Sequence, residues 1–465
     1  MKRLLTMMLA IIFVITAFVS CAKMKEIEDA SGSESFSDGN IGSDLVIENS
    51  TDNILPEGGE NNGDSVGNGT GNGEDATQTK PTFDVKESTK GLKFELNDDK
   101  LGYTLVDKGT VTAKDIVVDG YNGLPVTKIG HSAFESNTLI TSVKLGDYVE
   151  VVDDYAFSLC TNLQTVTFGK GVKVIGDYAF KHCYGITNLT LGKNVEYIKC
   201  GAFYKSKNLA TITIYDNVRS IEEYAFEGTK YYDTTGNWKN NVLYIGNHLI
   251  KAKSAISGNY TVAANTKTIA EKAFLDRSSL TGIVIPDSVH GIGVKAFQNA
   301  TKLTSITMGK GVELVGEKAF DNTGFYNASA NWKNNVLYIG SCLVSAKAAL
   351  SGSYTITSGT KCIADMAFNN CINLAGVVIP DTVSHVGEYA FNGCEKLVSV
   401  TVGSAVKEIG VFAFKGCSAI KAINVKKTTG WTADKLEITS EQITDKEQAA
   451  LYIGIVYSDK VWTRA

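Results

Sequence analysis

The chain has 465 residues and a formal net charge of −5, with 43% hydrophobic residues. Its length accommodates either three globular domains or one continuous solenoid. The charge is unevenly divided, because residues 1–20 carry +2, residues 22–85 carry −11 and residues 86–465 carry +4. The main body is therefore near neutral, which excludes the concentrated basic face of a nucleic-acid-binding protein.

The first 20 residues have the layout of an export signal. Lys2 and Arg3 precede an apolar run over residues 4–19, and Ser20 stands before Cys21. A transmembrane anchor is the alternative, but this run of 16 residues is shorter than the roughly 20 that span a bilayer. The end of the segment resembles a bacterial lipoprotein signal, with Phe18 where leucine is usual. That resemblance implies lipidation of Cys21 and contact with the membrane through the lipid only.

Residues 21–85 predict a disordered tether. Residues 22–85 contain 14 acidic residues against three lysines, and glycine, serine and asparagine occur throughout. Such a composition is too poor in hydrophobic residues to fold, and its like charges keep it extended. The glycine-rich run over residues 67–73 follows no predicted strand and opens no helix, so we do not expect it to bind phosphate.

A fixed spacing of the pair Ala-Phe organises the rest of the chain. Successive phenylalanines of this pair are 23 residues apart, except for two steps of 48 residues. A period in this range predicts a solenoid, because one unit cannot bury its apolar face without stacking on its neighbours. The phenylalanines are Phe134, Phe157, Phe180, Phe203, Phe226, Phe274, Phe297, Phe320, Phe368, Phe391 and Phe414.

Each repeat follows the frame V-x-x-I-G-x-x-A-F-x-x-C-x-x-L-x-x-V-x-L and contains one predicted strand. In the example over residues 397–402, apolar residues alternate with Ser399 and Thr401, as a strand with one buried face requires. Eleven such strands at about 4.8 Å would make a face about 50 Å long. The predicted strands end at Leu145, Phe168, Leu191, Ile214, Val262, Ile285, Met308, Ile356, Ile379, Val402 and Val425.

This 23-residue frame resembles the BspA-like class of leucine-rich repeat, and the resemblance covers residues 126–428. Proline appears at its variable position in Pro286 and Pro380. The resemblance implies a β-rich leucine-rich-repeat solenoid with a parallel sheet on the concave face and an irregular, turn-rich convex side. It also implies membership among surface or secreted bacterial proteins that bind other proteins, including host matrix and plasma proteins.

The outward residues of the predicted strands are a candidate binding surface. Most are small and hydroxylated, which is also what a solvent-facing strand prefers. The functional alternative is a shallow surface for protein or glycan; an ice-binding array is disfavoured because Lys144, Val284 and Val378 interrupt it. The candidate residues are Thr165, Thr167, Asn188, Thr190, Thr211, Thr213, Ser305, Thr307, Ser399 and Thr401.

The two long steps contain insertions at about residues 229–253 and 323–347 that share the sequence NWKNNVLYIG. Strand-like runs flank Gly246-Asn247 and Gly340-Ser341, so both insertions predict β-hairpins with tight turns. Their aromatic residues either pack the hairpin against the solenoid or remain exposed as anchors for a partner. The candidate anchors are Trp238, Tyr244, Trp332 and Tyr338.

Five of the nine cysteines occur three residues after an Ala-Phe phenylalanine. This repeated position predicts a ladder of buried thiols, with disulfides between adjacent coils as the alternative. No CxxC motif or Cys/His cluster indicates a metal site. The ladder consists of Cys160, Cys183, Cys371, Cys394 and Cys417.

The ends of the solenoid are predicted to be caps, which repeat proteins need. Residues 86–125 contain strand-like stretches over 93–96 and 116–118. Residues 429–465 contain a predicted helix over 440–452, capped by Ser440 or Thr444, and an extended stretch over 455–463.

No catalytic or cofactor-binding motif was recognised, and the five histidines occupy unrelated positions of the repeat. We therefore expect a monomeric, non-enzymatic protein without cofactor, lipid-anchored to the bacterial envelope at the cell surface. Its expected partner is an extracellular or host protein of the matrix or plasma type. A glycan-binding or envelope-scaffold lipoprotein without a host ligand is the alternative.

Overall fold

The computed structural model describes residues 82–434 and 436–464. The export signal, Cys21 and the tether up to residue 81 lie outside the described residues. Within them, each coil of the solenoid carries two strands, where the sequence predicts one. The predicted strand lies on what we call the long-strand face, and a second strand of mostly two residues, at the V-x-x-I part of the frame, forms the short-strand face.

The strands of the long-strand face pair in parallel, with Asn188 opposite Thr211 and Gly282 opposite Ser305. All eleven predicted strands are present and end within one residue of the predicted positions. They are Ser142–Leu145, Thr165–Thr167, Asn188–Thr190, Thr211–Thr213, Gly258–Thr261, Leu280–Val284, Ser305–Thr307, Ser351–Thr355, Asn373–Val378, Ser399–Val402 and Ala422–Val425. One further strand of the same face, Asp115–Val118, precedes them.

The strands of the short-strand face also pair in parallel, coil on coil, as Tyr197 does with Val174 and Ser220. Each presents a buried valine or isoleucine to the core. The strands are Leu124–Ile129, Val151–Val152, Val174–Ile175, Tyr197–Ile198, Ser220–Ile221, Thr268–Ile269, Gly291–Ile292, Leu314–Val315, Cys362–Ile363, His385–Val386 and Glu408–Ile409.

The Ala-Phe phenylalanines stack along the centre of the solenoid. Phe134 and Phe157 have centroids 5.1 Å apart and planes 7° apart, and the same geometry recurs along each uninterrupted run. All eleven rings are at most 2% exposed. Each contributes roughly 2–3 kcal/mol of transfer free energy, so this stack is a principal source of cohesion between coils.

Tight turns surround each phenylalanine and link neighbouring coils by backbone hydrogen bonds. In one coil, Tyr178, Phe180 and His182 donate their N–H groups to the carbonyls of residues 200, 202 and 204. The backbone of Tyr178 and of His182 is in the left-handed region, with φ of 53° and 58°. Most coils have a left-handed residue at the same two positions. Non-glycine residues in this conformation cost roughly 1 kcal/mol each, which the hydrogen bonds to the next coil offset.

The cysteine ladder is confirmed as a set of free, buried thiols. Cys160 donates its S–H to the carbonyl of Phe134 in the preceding coil at 3.1 Å, and Cys183 does the same to Phe157. Ser206 occupies this position in the next coil and donates its hydroxyl to the carbonyl of Phe180 at 2.7 Å. In these coils the position holds a small hydrogen-bond donor that reaches back one coil.

Both insertions fold as predicted hairpins, and each gains a third strand. In the first, Val242–Ile245 and His248–Ala252 pair in antiparallel fashion around Gly246-Asn247, where Gly246 has φ of 56°. The added strand, Trp238–Lys239, pairs with Val242–Ile245. The second insertion repeats this arrangement in Trp332–Lys333, Val336–Ile339 and Cys342–Ala346.

A short helical stretch opens each insertion. In the first, α1 (Lys230–Asp233) is capped by the hydroxyl of Thr229 and is followed by the 3-10 turn Thr235–Asn237. In the second, α2 (Gly324–Asn327) is capped by Thr323 and is followed by Ser329–Asn331.

The insertions, residues 229–253 and 323–347, each place an extra layer between neighbouring coils, and we call them wedges. On the short-strand face the coils meet directly, since Glu271 N–H donates to the carbonyl of Ile221 and Asp365 N–H to that of Val315, both at 2.9 Å. The strand pairing of both faces is interrupted at each wedge, where His248–Ala252 and Cys342–Ala346 pair with the short strand of the next coil. On the long-strand face the pairing is also interrupted between Thr165–Thr167 and Asn188–Thr190. Because the flanking coils still meet through the hydrogen bonds of Glu271 and Asp365, the solenoid bends toward the short-strand face. The predicted strands therefore lie on the outer side of the bend, and the expectation that their sheet lines the concave face is wrong.

The N-terminal end adds Lys93–Leu96, Tyr103–Asp107 and Gly120–Tyr121 to the coils. The predicted stretches over 93–96 and 116–118 are both strands. Lys93–Leu96 pairs in antiparallel fashion with Tyr103–Asp107, which pairs in parallel with Leu124–Ile129. The hairpin thereby covers the first coil.

The C-terminal end differs in detail from prediction. The predicted helix is divided into α3 (Ser440–Thr444) and α4 (Lys446–Leu451), whose N-caps are Thr439 and Asp445 rather than Ser440 and Thr444. Residues Tyr452–Val456 form a π-helical turn, so the extended stretch is reduced to the strand Trp462–Arg464. The remaining strands of this end are Trp431–Ala433 and Leu436–Ile438.

The last strand closes the solenoid by pairing in antiparallel fashion with Glu408–Ile409. Trp431 and Trp462 are at most 2% exposed and contact each other across this end. An antiparallel strand cannot continue the parallel coil pattern, so it terminates the short-strand face.

Candidate functional site

The candidate hydroxyl residues lie on the long-strand face and point to solvent. Nine of the ten are exposed and Thr401 is half-buried. In-register pairing places Asn188 beside Thr211 and Thr190 beside Thr213, in two parallel columns. Nine of the ten candidates are serines or threonines, and within the part of the chain that the structure describes their hydroxyls make no side-chain hydrogen bond, so they are available to a ligand.

The wedges divide this surface into separate patches. Residues 165–213 provide six of the ten candidates on three successive coils, whereas the serine-threonine pairs at 305–307 and 399–401 lie beyond the first and second wedge. Val284 and Val378 share a column with Thr307 and Thr401 and are 41% and 39% exposed. The first patch is thus the largest and most polar of the set.

The candidate aromatic anchors are half-buried and have intramolecular partners. The indole N–H of Trp238 donates to the carbonyl of Tyr232 at 2.7 Å, and the two rings meet edge to face at 5.3 Å. The hydroxyl of Tyr244 lies 3.1 Å from that of Tyr260. These contacts hold the hairpin against the solenoid.

The second wedge repeats every one of these contacts. Trp332 donates to the carbonyl of Tyr326 at 2.7 Å, and the Tyr338 hydroxyl lies 3.1 Å from that of Tyr354. A lysine ammonium lies over each indole, Lys253 at 4.7 Å from the Trp238 centroid and Lys347 at 4.5 Å from that of Trp332. One ring face of each tryptophan is therefore already occupied by a cation.

The concave side holds an ionic contact that the sequence did not reveal. Arg219 donates to a carboxylate oxygen of Glu408 at 2.7 Å, although 189 residues separate them. The side chains are 25% and 17% exposed. His385 approaches the same carboxylate at 3.8 Å. We call this contact the clasp, because it joins coils on opposite sides of both wedges.

Carboxylates crowd the coils beside the clasp. Asp154, Asp177, Glu271 and Asp365 follow the V-x-x-I strand at one equivalent position of the repeat. Burial, and then the charge of Glu222, raises the pKa of both Asp177 and Glu271 to about 7. Burial also raises the pKa of Asp365 well above its usual range.

Basic and imidazole side chains are also desolvated in this region. Burial lowers the pKa of Lys199, but the charge and hydrogen bond of Glu222, with help from Glu388 and Asp177, raise it overall. Burial lowers the pKa of His290 and of His385. The column of acidic residues was visible in the sequence, yet nothing there showed that two distant coils would meet.

Two kinds of site are not formed by the described residues. Nowhere in residues 82–434 and 436–464 do three His, Cys, Asp or Glu side chains gather in a way that could hold a metal ion. None of the helices in those same residues has the length and apolar character that a bilayer span requires.

Six copies of the BspA type leucine rich repeat region match residues 127–257, 267–351 and 346–434. The chain belongs to this family. Among curated proteins, none matches the chain.

Several solved structures of bacterial proteins are similar to this chain. A leucine rich cell surface protein from Faecalibacterium prausnitzii is 22% identical over 75% of this chain and 97% of its own, with a TM-score of 0.27. A leucine-rich repeat protein from Bacteroides ovatus is 18% identical over 72% and 93%, with a TM-score of 0.23. The pneumococcal vaccine antigen PcpA is 16% identical over 70% and 90%, with a TM-score of 0.27.

Proposed function

We propose that this protein is a lipid-anchored bacterial surface protein whose long-strand face binds an extracellular protein, of the host matrix or plasma type. The observation that carries the proposal is the rigid surface of exposed hydroxyls without intramolecular side-chain hydrogen bonds. Groups whose bonding capacity is unused can bond a partner without first breaking an internal contact. Membership of the repeat family and the layout of residues 1–21 support display at the cell surface.

The shape of this surface favours a protein over a small molecule. Thr190, Thr211 and Thr213 stand on flat parallel strands with no side chain between them that would wall a pocket. A flat surface can bury the large area that a specific protein partner requires, whereas a small ligand needs a concave site.

Binding of mature protein, residues 21–465, to matrix and plasma proteins and to glycans would test the proposal. The variant Thr190→Lys with Thr213→Lys places two long cations on the largest patch and should weaken binding at least tenfold. The matched control is Ser278→Lys with Thr301→Lys, which adds the same charge to exposed turn positions of two adjacent coils. Equal binding by both double variants would contradict the assignment of the face, and a glycan as the only ligand would contradict the partner class.

Display at the surface is tested separately. Metabolic labelling with palmitate should mark the wild-type protein and leave Cys21→Ala unlabelled. Protease added to intact cells should then remove the wild-type chain; full protection would instead indicate a scaffold inside the envelope.

A further inference from the structure

The two wedges differ at one buried pair of positions. In the first wedge, His248 lies opposite Thr268 of the next coil, and its Nδ1 is 2.8 Å from the threonine hydroxyl. The second wedge lies 94 residues later and places Cys342 opposite Cys362 at the equivalent positions. Both sites thus connect the wedge to the following coil, one through a hydrogen bond and one through two thiols.

The geometry of the second pair meets the requirements of a disulfide. Cys342 and Cys362 are direct partners on neighbouring parallel strands, and such strands lie about 4.8 Å apart, within the Cα separation that a disulfide spans. Both residues are 0% exposed and both are free. The two thiols are also hydrogen-bonded to each other. This hydrogen bond from Cys342, followed by burial, raises the pKa of Cys362 well above its usual range.

Each ladder cysteine donates to a backbone carbonyl, including Cys394 and Cys417, whose thiols also contact each other. Four of them donate to a phenylalanine carbonyl at 3.1–3.2 Å, as Cys160 does. The nearest carbonyl to Cys342, that of Val312, is 3.7 Å from its sulfur, a longer contact than those of the four. The Cys342 sulfur is therefore less restrained and can turn toward Cys362.

We propose that Cys342 and Cys362 form a disulfide that ties the second wedge to the next coil. The two thiols lose two protons and two electrons as the S–S bond forms, and an external disulfide of the oxidised-glutathione class accepts them, giving two new thiols. Because both sulfurs are fully buried in the folded coil, this exchange takes place while the coil closes during folding. The inference is independent of the proposed binding function.

Refolding of residues 21–465 in a glutathione redox buffer tests the cross-link. Free thiols are alkylated, and the unreduced protein is digested with trypsin and a protease that cuts before aspartate. Trypsin isolates Cys342 in a peptide over residues 334–347, and cleavage at Asp365 separates Cys362 from Cys371. We expect these two peptides to be linked, with Cys160 alkylated as the internal reference. Alkylated Cys342 and Cys362 after refolding would overturn the proposal.

Thermal unfolding with and without dithiothreitol gives a second readout. The cross-link should raise the Tm by about 4 °C, because it closes a loop of roughly 20 residues in a large unit. Cys342→His with Cys362→Thr, which installs the pair of the first wedge, should fold and lose this reductant-dependent shift; Cys362→Thr alone serves if the graft does not fold. Cys160→Ser should keep the shift, since serine occupies that position naturally at Ser206. A shift that persists without the pair would contradict the proposal.

Discussion

The clasp between Arg219 and Glu408 gives the sharpest test of how the solenoid bends. The strands beside these residues are separated by six coil steps, which would span about 29 Å in a straight stack. In the structure, a guanidinium nitrogen of Arg219 lies 2.7 Å from a carboxylate oxygen of Glu408. Only a stack that both wedges have bent toward the short-strand face brings the two side chains together.

The magnitude follows from the burial of the pair. Removing one partner of a fully buried ion pair costs roughly 3–5 kcal/mol, because the other charge stays desolvated. Here the side chains are 25% and 17% exposed, so solvent screens part of the loss. We expect Arg219→Ala to lower the free energy of unfolding by about 2 kcal/mol.

A double-mutant cycle in urea measures the coupling directly. Arg219→Ala, Glu408→Gln and the double variant should give a coupling energy of about 1–2 kcal/mol. Lys170 and Asp147 form the matched control, because they are a solvent-screened pair at 2.8 Å on adjacent coils and should couple much more weakly than the clasp.

Additive effects of Arg219→Ala and Glu408→Gln would refute the reasoning. Such a result would mean that the two coils do not meet in solution, and the bending attributed to the wedges would have to be abandoned.

Three further predictions follow from the same structure. Deletion of residues 323–347 restores the 23-residue step between Phe320 and Phe368, so small-angle scattering should show a longer, still folded particle; an unchanged profile would contradict the role of the wedge. Lys295→Gly should raise the Tm, because the backbone of Lys295 is in the left-handed region with φ of 54°, which glycine adopts without strain. Gln298→Gly in the same turn should lower the Tm, because Gln298 does not have a positive φ and glycine there only adds entropy to the unfolded chain. Asp177 has its pKa raised to about 7 in the folded state, so its stabilising effect is present at acid pH and is lost as pH rises through 7. Asp177→Asn should therefore raise the Tm at pH 8 more than at pH 5, and an equal effect at both would count against this assignment.

Much of the fold could be predicted because each repeat contains recognisable sequence patterns for its strand, its turn and its buried phenylalanine. The alternation of residues 397–402 indicated a strand, and Gly246-Asn247 indicated the hairpin turn. The even spacing of phenylalanines indicated the stack that holds the coils together. The strand and turn signals lie within a few residues, and the phenylalanine spacing is a regular period along the chain.

The short-strand face escaped prediction because its strands are mostly only two residues long. A pair such as Val174–Ile175 is too short to show alternation, and it becomes a strand only when neighbouring coils supply hydrogen bonds. The left-handed turns were equally hidden, since Tyr178 and Leu159 rarely adopt that conformation in isolation.

The clasp could not have been found from sequence. Its position depends on the angle added by two wedges between residues 219 and 408, and no local pattern encodes that angle. The candidate hydroxyls were located correctly on exposed strands, but their division into patches by the wedges required the three-dimensional arrangement.

The central claim, that the long-strand face binds an extracellular protein, is tested most directly by a binding isotherm on intact cells. Cells displaying the wild-type chain should bind the purified partner saturably, and Thr190→Lys with Thr213→Lys should weaken that binding at least tenfold while Ser278→Lys with Thr301→Lys leaves it unchanged. Wild-type binding by the Thr190 and Thr213 double variant, at equal surface amounts, would contradict the account.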